Sequence, residues 1–126
     1  MPESLRQTTV GAYLDSLASS DPAPGGGAVV ALMGAQAAAL LAMSLRISSQ
    51  EEAAKKQAGL LDAARGRLSQ LADADAAAFT AVMNAYKLPK DSETAKSARK
   101  AAIQDAFRAA TQIPLQVMNE LAALYD

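Results

Sequence analysis

Three short segments of the sequence contain residue types that could do chemistry, and the first is a run of glycines. Gly25, Gly26 and Gly27 follow Pro22 and Pro24 and open a long apolar stretch. Glycines let backbone N–H groups face outward, and a helix N-terminus adds partial positive charge. The run is therefore a candidate binding site for an anion or a carbonyl oxygen. The alternative interpretation is a tight turn in which glycine permits close helix packing.

The second segment contains two carboxylates, Asp73 and Asp75, among alanines in a predicted helix. Side chains two residues apart point about 200° apart around a helix, so we expect one carboxylate to be exposed and the other to face inward. Asp75 has Ala72, Ala76 and Phe79 as its helical neighbours. An inward carboxyl group in such apolar surroundings can serve as a general acid or base. The alternative is a solvated acid on an exposed stripe.

The third segment is the turn Leu88-Pro89 with Lys87 and Lys90 on either side. A lysine near the C-terminus of a helix ordinarily interacts with the helix dipole. Two lysines around one turn could instead hold the carboxylate of a substrate. We interpret Arg99 and Lys100 as solvated surface, and Tyr13 as a core or interface residue.

The composition excludes several classes of site. The chain has 126 residues, enough for one domain, and contains neither Cys nor His. It therefore lacks thiolate ligands and nucleophiles, the commonest zinc ligand and the commonest neutral-pH base. Any acid–base catalysis must use Asp, Glu, Lys or Tyr, and no metal-binding spacing appears. The net charge of −1 gives no global attraction for nucleic acid or an anionic membrane. No signal pattern is evident at the N-terminus, and we predict a cytoplasmic protein.

Four helices are predicted to position these segments. They cover residues 4–18, 26–48, 50–86 and 92–124. Ser92 is the expected N-cap of the last helix, and Pro114 should kink or split it. We predict an all-α, antiparallel helical bundle with one central apolar Ala-rich helix and two long helices. Because Ala buries little area, we expect a second subunit to complete the core, as a homodimer or higher homo-oligomer.

The apolar stretch 28–43 could also be interpreted as a membrane span. It is shorter than the roughly 20 residues that a span needs, and Ala dominates it. We therefore predict a core helix that is apolar almost all round. A membrane-associated helical hairpin remains the alternative.

The order of these segments resembles the cyclodeaminase domain of formiminotransferase-cyclodeaminase and its stand-alone relatives, the methenyltetrahydrofolate cyclohydrolases. The resemblance rests on five segments in order and covers nearly the whole chain: residues 14–27, 73–79, 85–90, 99–104 and 113–115. Each is weak alone, but together they are specific. Compared with the family pattern, the chain is expected to lack the C-terminal third of the domain.

The resemblance implies an all-helical, dimeric fold that binds a folate in a groove at the subunit interface. The implied reactions are closure of 5-formiminotetrahydrofolate with loss of ammonia, or interconversion of the methenyl and 10-formyl forms, neither of which needs a cofactor. Asp75 matches the essential acid of the family. We expect Gly25, Gly26, Gly27 and Lys87 to contact the substrate. A truncated, catalytically impaired module for oligomerisation or binding is the alternative function.

Overall fold

The computed structural model describes residues 4–126 and consists of four α-helices. They are α1 (Val10–Leu17), α2 (Gly26–Ser48), α3 (Glu52–Tyr86) and α4 (Glu93–Ala123). No strand occurs in this part of the chain. The predicted all-α bundle, with an Ala-rich helix and two long helices, is confirmed.

Helix α1 begins later than the sequence predicted. It starts at Val10 and not at Ser4, because Thr9 adopts an extended conformation and its side-chain oxygen accepts a hydrogen bond from the N–H of Ala12 at 3.2 Å. An N-cap of this kind fixes the first turn of a helix. Residues 4–9, which we call the N-terminal segment, form turns and bends before that cap.

Helix α4 begins where predicted but does not break where predicted. The side chain of Ser92 accepts a hydrogen bond from the N–H of Ala95 at 3.1 Å, which confirms it as the N-cap. The helix then continues through Pro114 to Ala123, so the predicted split is wrong. A proline removes one backbone donor, and here the buried Val117 keeps the following turn packed against the bundle.

The core is built from small side chains, and α2 and α4 both pack against α3. Its central cluster combines residues of all three helices: Ala28, Ala31, Ala35, Leu68, Ala72 and Val117. Gly34 of α2 makes room for Leu121 of α4, since a Cβ atom on this glycine would overlap the Leu121 side chain. The small residues therefore determine how closely the helices pack, which sets the geometry of the site described below.

Only one face of α2 is buried, although its sequence is apolar almost all round. The buried face consists of small residues, and the opposite face leaves Met33 62%, Leu40 61% and Ile47 75% exposed. With 23 residues, α2 is long and apolar enough to cross a membrane by length and composition. The sequence-based argument that this stretch is too short for a membrane span is therefore wrong. What assigns α2 to a folded bundle is the packing of its alanine face against α3.

Candidate functional site

The glycine turn and Asp75 lie in direct contact. Gly25 is the N-cap of α2 and has no side chain to bind the free N–H groups of the first helical turn. Asp75 supplies that acceptor from a different helix, α3: its Oδ2 atom accepts a hydrogen bond from the N–H of Ala28 at 3.1 Å. A carboxylate at a helix N-terminus is stabilised by the hydrogen bond and by the helix dipole.

Gly27 is required for this contact because the Asp75 carboxyl group occupies the space where a side chain would lie. A Cβ atom built on Gly27 would be 2.6 Å from Cγ and 2.7 Å from Oδ2 of Asp75, well inside van der Waals distance. A Cβ on Gly26 would meet no atom within 4 Å. The two neighbouring glycines therefore differ: Gly27 makes room for the carboxylate, and Gly26 faces open space.

Asp73 binds a different part of the chain. Its Oδ2 atom accepts a hydrogen bond from the hydroxyl of Ser4 at 2.6 Å, and its Oδ1 atom accepts one from the N–H of Leu5 at 2.8 Å. Asp73 and Asp75 are both half-buried, so the expectation that one of them is exposed is wrong. Because the two side chains point in different directions, Asp73 holds the N-terminal segment against α3, and Asp75 holds the glycine turn.

Lys87 does not lie with the other predicted site residues. It is the exposed C-cap of α3. Twelve residues separate it from Asp75, which is about 18 Å along a helix axis. Within this chain the structure brings Gly27 and Asp75 together, whereas Lys87 lies apart from them at the C-terminal end of α3.

Arg99 has a structural role that the sequence did not reveal. Its guanidinium donates two hydrogen bonds to the backbone oxygen of Tyr86, at 3.2 and 3.1 Å, and lies 5.6 Å from the centroid of the Tyr86 ring. The Tyr86 ring also packs edge-on against Phe107. The interpretation of Arg99 as solvated surface is wrong, because the side chain binds the free carbonyl at the end of α3 and ties α4 to it.

Replacing Arg99 with Ala is expected to lower the free energy of unfolding by roughly 1–2 kcal/mol, because two charge-assisted hydrogen bonds are lost. Lys100→Ala is the matched control, since Lys100 is exposed and adjacent. It should change stability by no more than about 0.5 kcal/mol. Urea denaturation followed by circular dichroism measures both variants, and equal midpoints for them would contradict the assignment.

A cavity of about 570 Å³ lies between the N-terminal segment, α1 and α3. We call it the Tyr13 cavity. It is bordered by Pro24, which precedes the glycine turn in sequence, and by Asp73 and Ala76 of α3, whereas Asp75 and the glycines do not line it. Its remaining walls are Ser4, Leu5, Thr8, Tyr13, Ser16, Ala23, Ala77 and Thr80. This volume falls in the range typical of small-molecule sites.

A second, larger concavity of about 680 Å³ lies at the other end of the bundle. It is lined mainly by leucines, among them Leu41 and Leu60, with the ion pair of Arg67 and Glu120 (2.8 Å) at its edge. Ala64, on its wall, is eleven residues from Asp75, or about 16 Å along α3. We therefore place the candidate site where the Asp75 carboxylate meets the N-terminus of α2. Residues 4–126 include no cluster of three or more carboxylates that could hold a metal ion.

Comparison with known proteins identifies the family. The family model described as formiminotransferase-cyclodeaminase matches residues 9–126. Methenyltetrahydrofolate cyclohydrolase of Methylorubrum extorquens is 43% identical over 85% of this chain and 55% of its own length. Formimidoyltransferase-cyclodeaminase of Sus scrofa is 32% identical over 98% of this chain and 24% of its own length.

The solved structure of formiminotetrahydrofolate cyclodeaminase from Thermotoga maritima has the same fold. It superimposes with a TM-score of 0.79 at 28% sequence identity, over 94% of this chain and 59% of that one. The chain thus spans little more than half the length of its bacterial relatives, and about a quarter of the pig enzyme. On the extent of the family match and these identities, the chain belongs to the formiminotransferase-cyclodeaminase family.

Proposed function

We propose that this chain acts in one-carbon folate metabolism, as a formiminotetrahydrofolate cyclodeaminase or a methenyltetrahydrofolate cyclohydrolase. The relatives named for these two activities support the substrate class. The contact between Asp75 and the N-terminus of α2 supports the position of the site, because it brings a carboxylate against the backbone N–H groups of the glycine turn.

In the cyclodeaminase reaction, N10 of the folate attacks the formimino carbon and a tetrahedral carbon forms. N10 loses its proton, the leaving nitrogen gains one, and ammonia departs as the methenyl bridge forms. In the proposed mechanism Asp75 takes the first proton as a base and returns it to the leaving nitrogen as an acid. In the cyclohydrolase reaction the same carboxylate would remove a proton from the water that attacks the methenyl carbon. It would return that proton to N5 as the N5–C bond breaks and the 10-formyl product forms.

Neither reaction transfers electrons, so we propose that the chain needs no cofactor beyond its folate substrate. The Asp75 carboxylate and the backbone N–H groups of the glycine turn supply the chemistry. We also propose a cytoplasmic location, where soluble folates are available. Lys87 could contact the glutamate end of a folate, which extends far from the ring, although it lies about 18 Å from Asp75 along α3.

The direct test of the proposal is turnover by the purified chain. We expect the chain to decrease the methenyl absorbance band of methenyltetrahydrofolate, or to produce that band from formiminotetrahydrofolate. We also expect it to bind folinic acid saturably in calorimetry. A chain that neither binds nor turns over these compounds would overturn the proposal. That result would favour the alternative, a helical module that retains the fold without the activity.

We further propose that a second copy of the chain covers the exposed face of α2. Exposed apolar residues follow one another at spacings of three and four: Val30, Met33, Ala37, Leu40 and Ile47, with Ser44 at the remaining position of the repeat. A repeat of three and four is the pattern by which one helix packs along another. The thin alanine core gives the bundle a further reason to associate.

Leu40→Glu is expected to convert this oligomer to a monomer, because it places a charge in the middle of the apolar repeat. Gln104→Glu on α4 is the control, since it introduces the same carboxylate at an exposed polar position. Light scattering after size-exclusion chromatography gives the mass of each variant. A wild-type chain that is monomeric at micromolar concentration would contradict the proposal that a second copy covers this face.

A further inference from the structure

We propose that helix α1 of a second copy of the chain docks in the leucine-lined concavity at the other end of the bundle. We call this concavity the leucine groove; it lies between α2, α3 and the C-terminal end of α4. The inference rests on the proposal that a second copy covers the exposed face of α2, and it adds which element of that copy binds where. It follows from the shape of the groove, from the apolar residues that α1 turns outward, and from the positions of both relative to α2.

The leucine groove has the shape of a helix-binding groove. On α2 its lining residues stand at positions i, i+3, i+4 and i+7 from Leu41, and on α3 they have the same spacing from Gln57. Leu41, Leu60 and Leu61 supply much of its apolar wall, and Leu60 is 58% exposed. Residues at these spacings lie on one face of a helix, so two facing rows border a groove about two turns long. Leu124, after the end of α4, borders it at one end.

Helix α1 turns an apolar stripe outward. Val10 is 75% exposed and Leu14 is 53% exposed, and Leu17 continues the stripe at the next position of the repeat. None of the eight residues of this helix is buried. Among residues 4–126, close backbone packing joins α2, α3 and α4 with one another and leaves α1 outside. The stripe is therefore available for contact with another molecule.

The stripe of α1 matches the groove in length and in charge. From Val10 to Leu17 the helix makes about two turns, which is the length of the groove. The single charged residue of α1 is Asp15, which projects about 100° round the helix from Leu14. The stripe itself therefore brings no charge into an apolar groove, and the contact avoids the cost of desolvating one.

The α1 helix of the same chain does not reach the groove. Tyr13 and Ser16 line the Tyr13 cavity together with residues 73–80 of α3, and Asp73 holds the N-terminal segment there. Leu60, on the wall of the groove, is thirteen residues from Asp73, or about 20 Å along α3. An α1 helix that docks in the groove therefore comes from a second copy.

Antiparallel pairing of two α2 helices brings α1 and the groove together. Residues 18–25 join α1 to the N-terminal end of α2, whereas the groove borders the C-terminal half of α2, from Leu41 to Ser48. In an antiparallel pair the N-terminal end of one α2 lies beside the C-terminal half of the other, and α1 lies there with it. Two-fold symmetry then makes the same contact twice, so the assembly closes as a dimer.

Disulfide trapping tests this contact, because the chain contains no Cys and every disulfide must come from the introduced residues. The test variant combines Leu14→Cys with Leu60→Cys, and oxidation links the two positions if they meet. The control combines Ala12→Cys with Leu60→Cys, since Ala12 is exposed on the opposite side of α1 from Leu14. Non-reducing electrophoresis measures the covalent dimer, and mass spectrometry of the digest identifies the linked positions. Light scattering gives the mass of the wild type.

We expect a covalent dimer linked between positions 14 and 60 in the test variant, and little or none in the control. Leu14→Glu should also raise the dimer dissociation constant about tenfold or more, because a charge would enter the groove, whereas Ala12→Glu should match the wild type. A dimeric wild type whose test variant yields no link between positions 14 and 60 overturns this inference and leaves the α2 contact and the folate activity in place. A monomeric wild type overturns both this inference and the α2 contact, and the folate activity is then decided by turnover.

Discussion

Asp75→Asn should lower turnover roughly 10²–10⁴-fold while the fold is retained, since proton transfer typically contributes that much to catalysis. The amide oxygen of Asn can still accept the hydrogen bond from the N–H of Ala28, which the Asp75 carboxylate accepts at 3.1 Å. The substitution therefore keeps the acceptor at the N-terminus of α2 and removes only the ability to carry a proton. Absorbance of the methenyl band measures the rate.

The control for this prediction is Asp91→Asn, a substitution of the same kind at an exposed residue between α3 and α4. It should leave turnover unchanged. Circular dichroism and urea denaturation establish that both variants are folded. If Asp75→Asn turns over substrate at the wild-type rate, Asp75 serves only as the cap of α2 and the acid–base assignment is wrong.

The second large effect is expected from Gly27→Ala. The new Cβ atom would lie 2.6 Å from the Cγ atom of Asp75, so the carboxyl group must move away. Asp75 is the end of a flexible side chain, so the helix packing can survive while the hydrogen bond to Ala28 is lost. We expect the free energy of unfolding to fall by roughly 1–2 kcal/mol, as for loss of a helix cap, and turnover to fall with the displaced carboxylate.

Two further variants isolate the cause of that effect. Gly26→Ala, one residue earlier in the same turn, should leave the stability nearly unchanged, because its Cβ meets no atom within 4 Å. In a background of Asp75→Ala, Gly27→Ala should cost far less than it does alone, because the atoms that it displaces are gone. Equal costs of Gly27→Ala in both backgrounds, measured by urea denaturation, would contradict the contact as the cause.

For the rate measurement the control glycine lies elsewhere. Gly59→Ala places a methyl group in open space on the exposed side of α3 and should raise helix stability by up to about 1 kcal/mol without changing turnover. A loss of turnover in Gly27→Ala that Gly59→Ala does not share assigns the effect to the position of the Asp75 carboxylate.

The sequence by itself determined the class of fold and most of its elements. Periodic apolar residues, the Ser92 cap and the glycine turn predict α2, α3 and α4 to within about two residues of their observed bounds. These features are local, since propensity and capping act over a few residues along one chain. The sequence placed the start of α1 at Ser4 and missed that Thr9 is the N-cap. The helix therefore begins at Val10, after the N-terminal segment.

The tertiary structure alone decided which residues meet. No spacing along the chain indicates that Asp75 binds the N–H of Ala28, forty-seven residues earlier, or that Asp73 holds Leu5. It also showed Arg99 bound to the end of α3, and Lys87 apart from the carboxylates. Such contacts depend on how closely whole helices pack, which here is set by alanines and glycines distributed over three helices. The sequence supplied the candidate site residues, and the packing of small side chains placed Asp75 at the glycine turn.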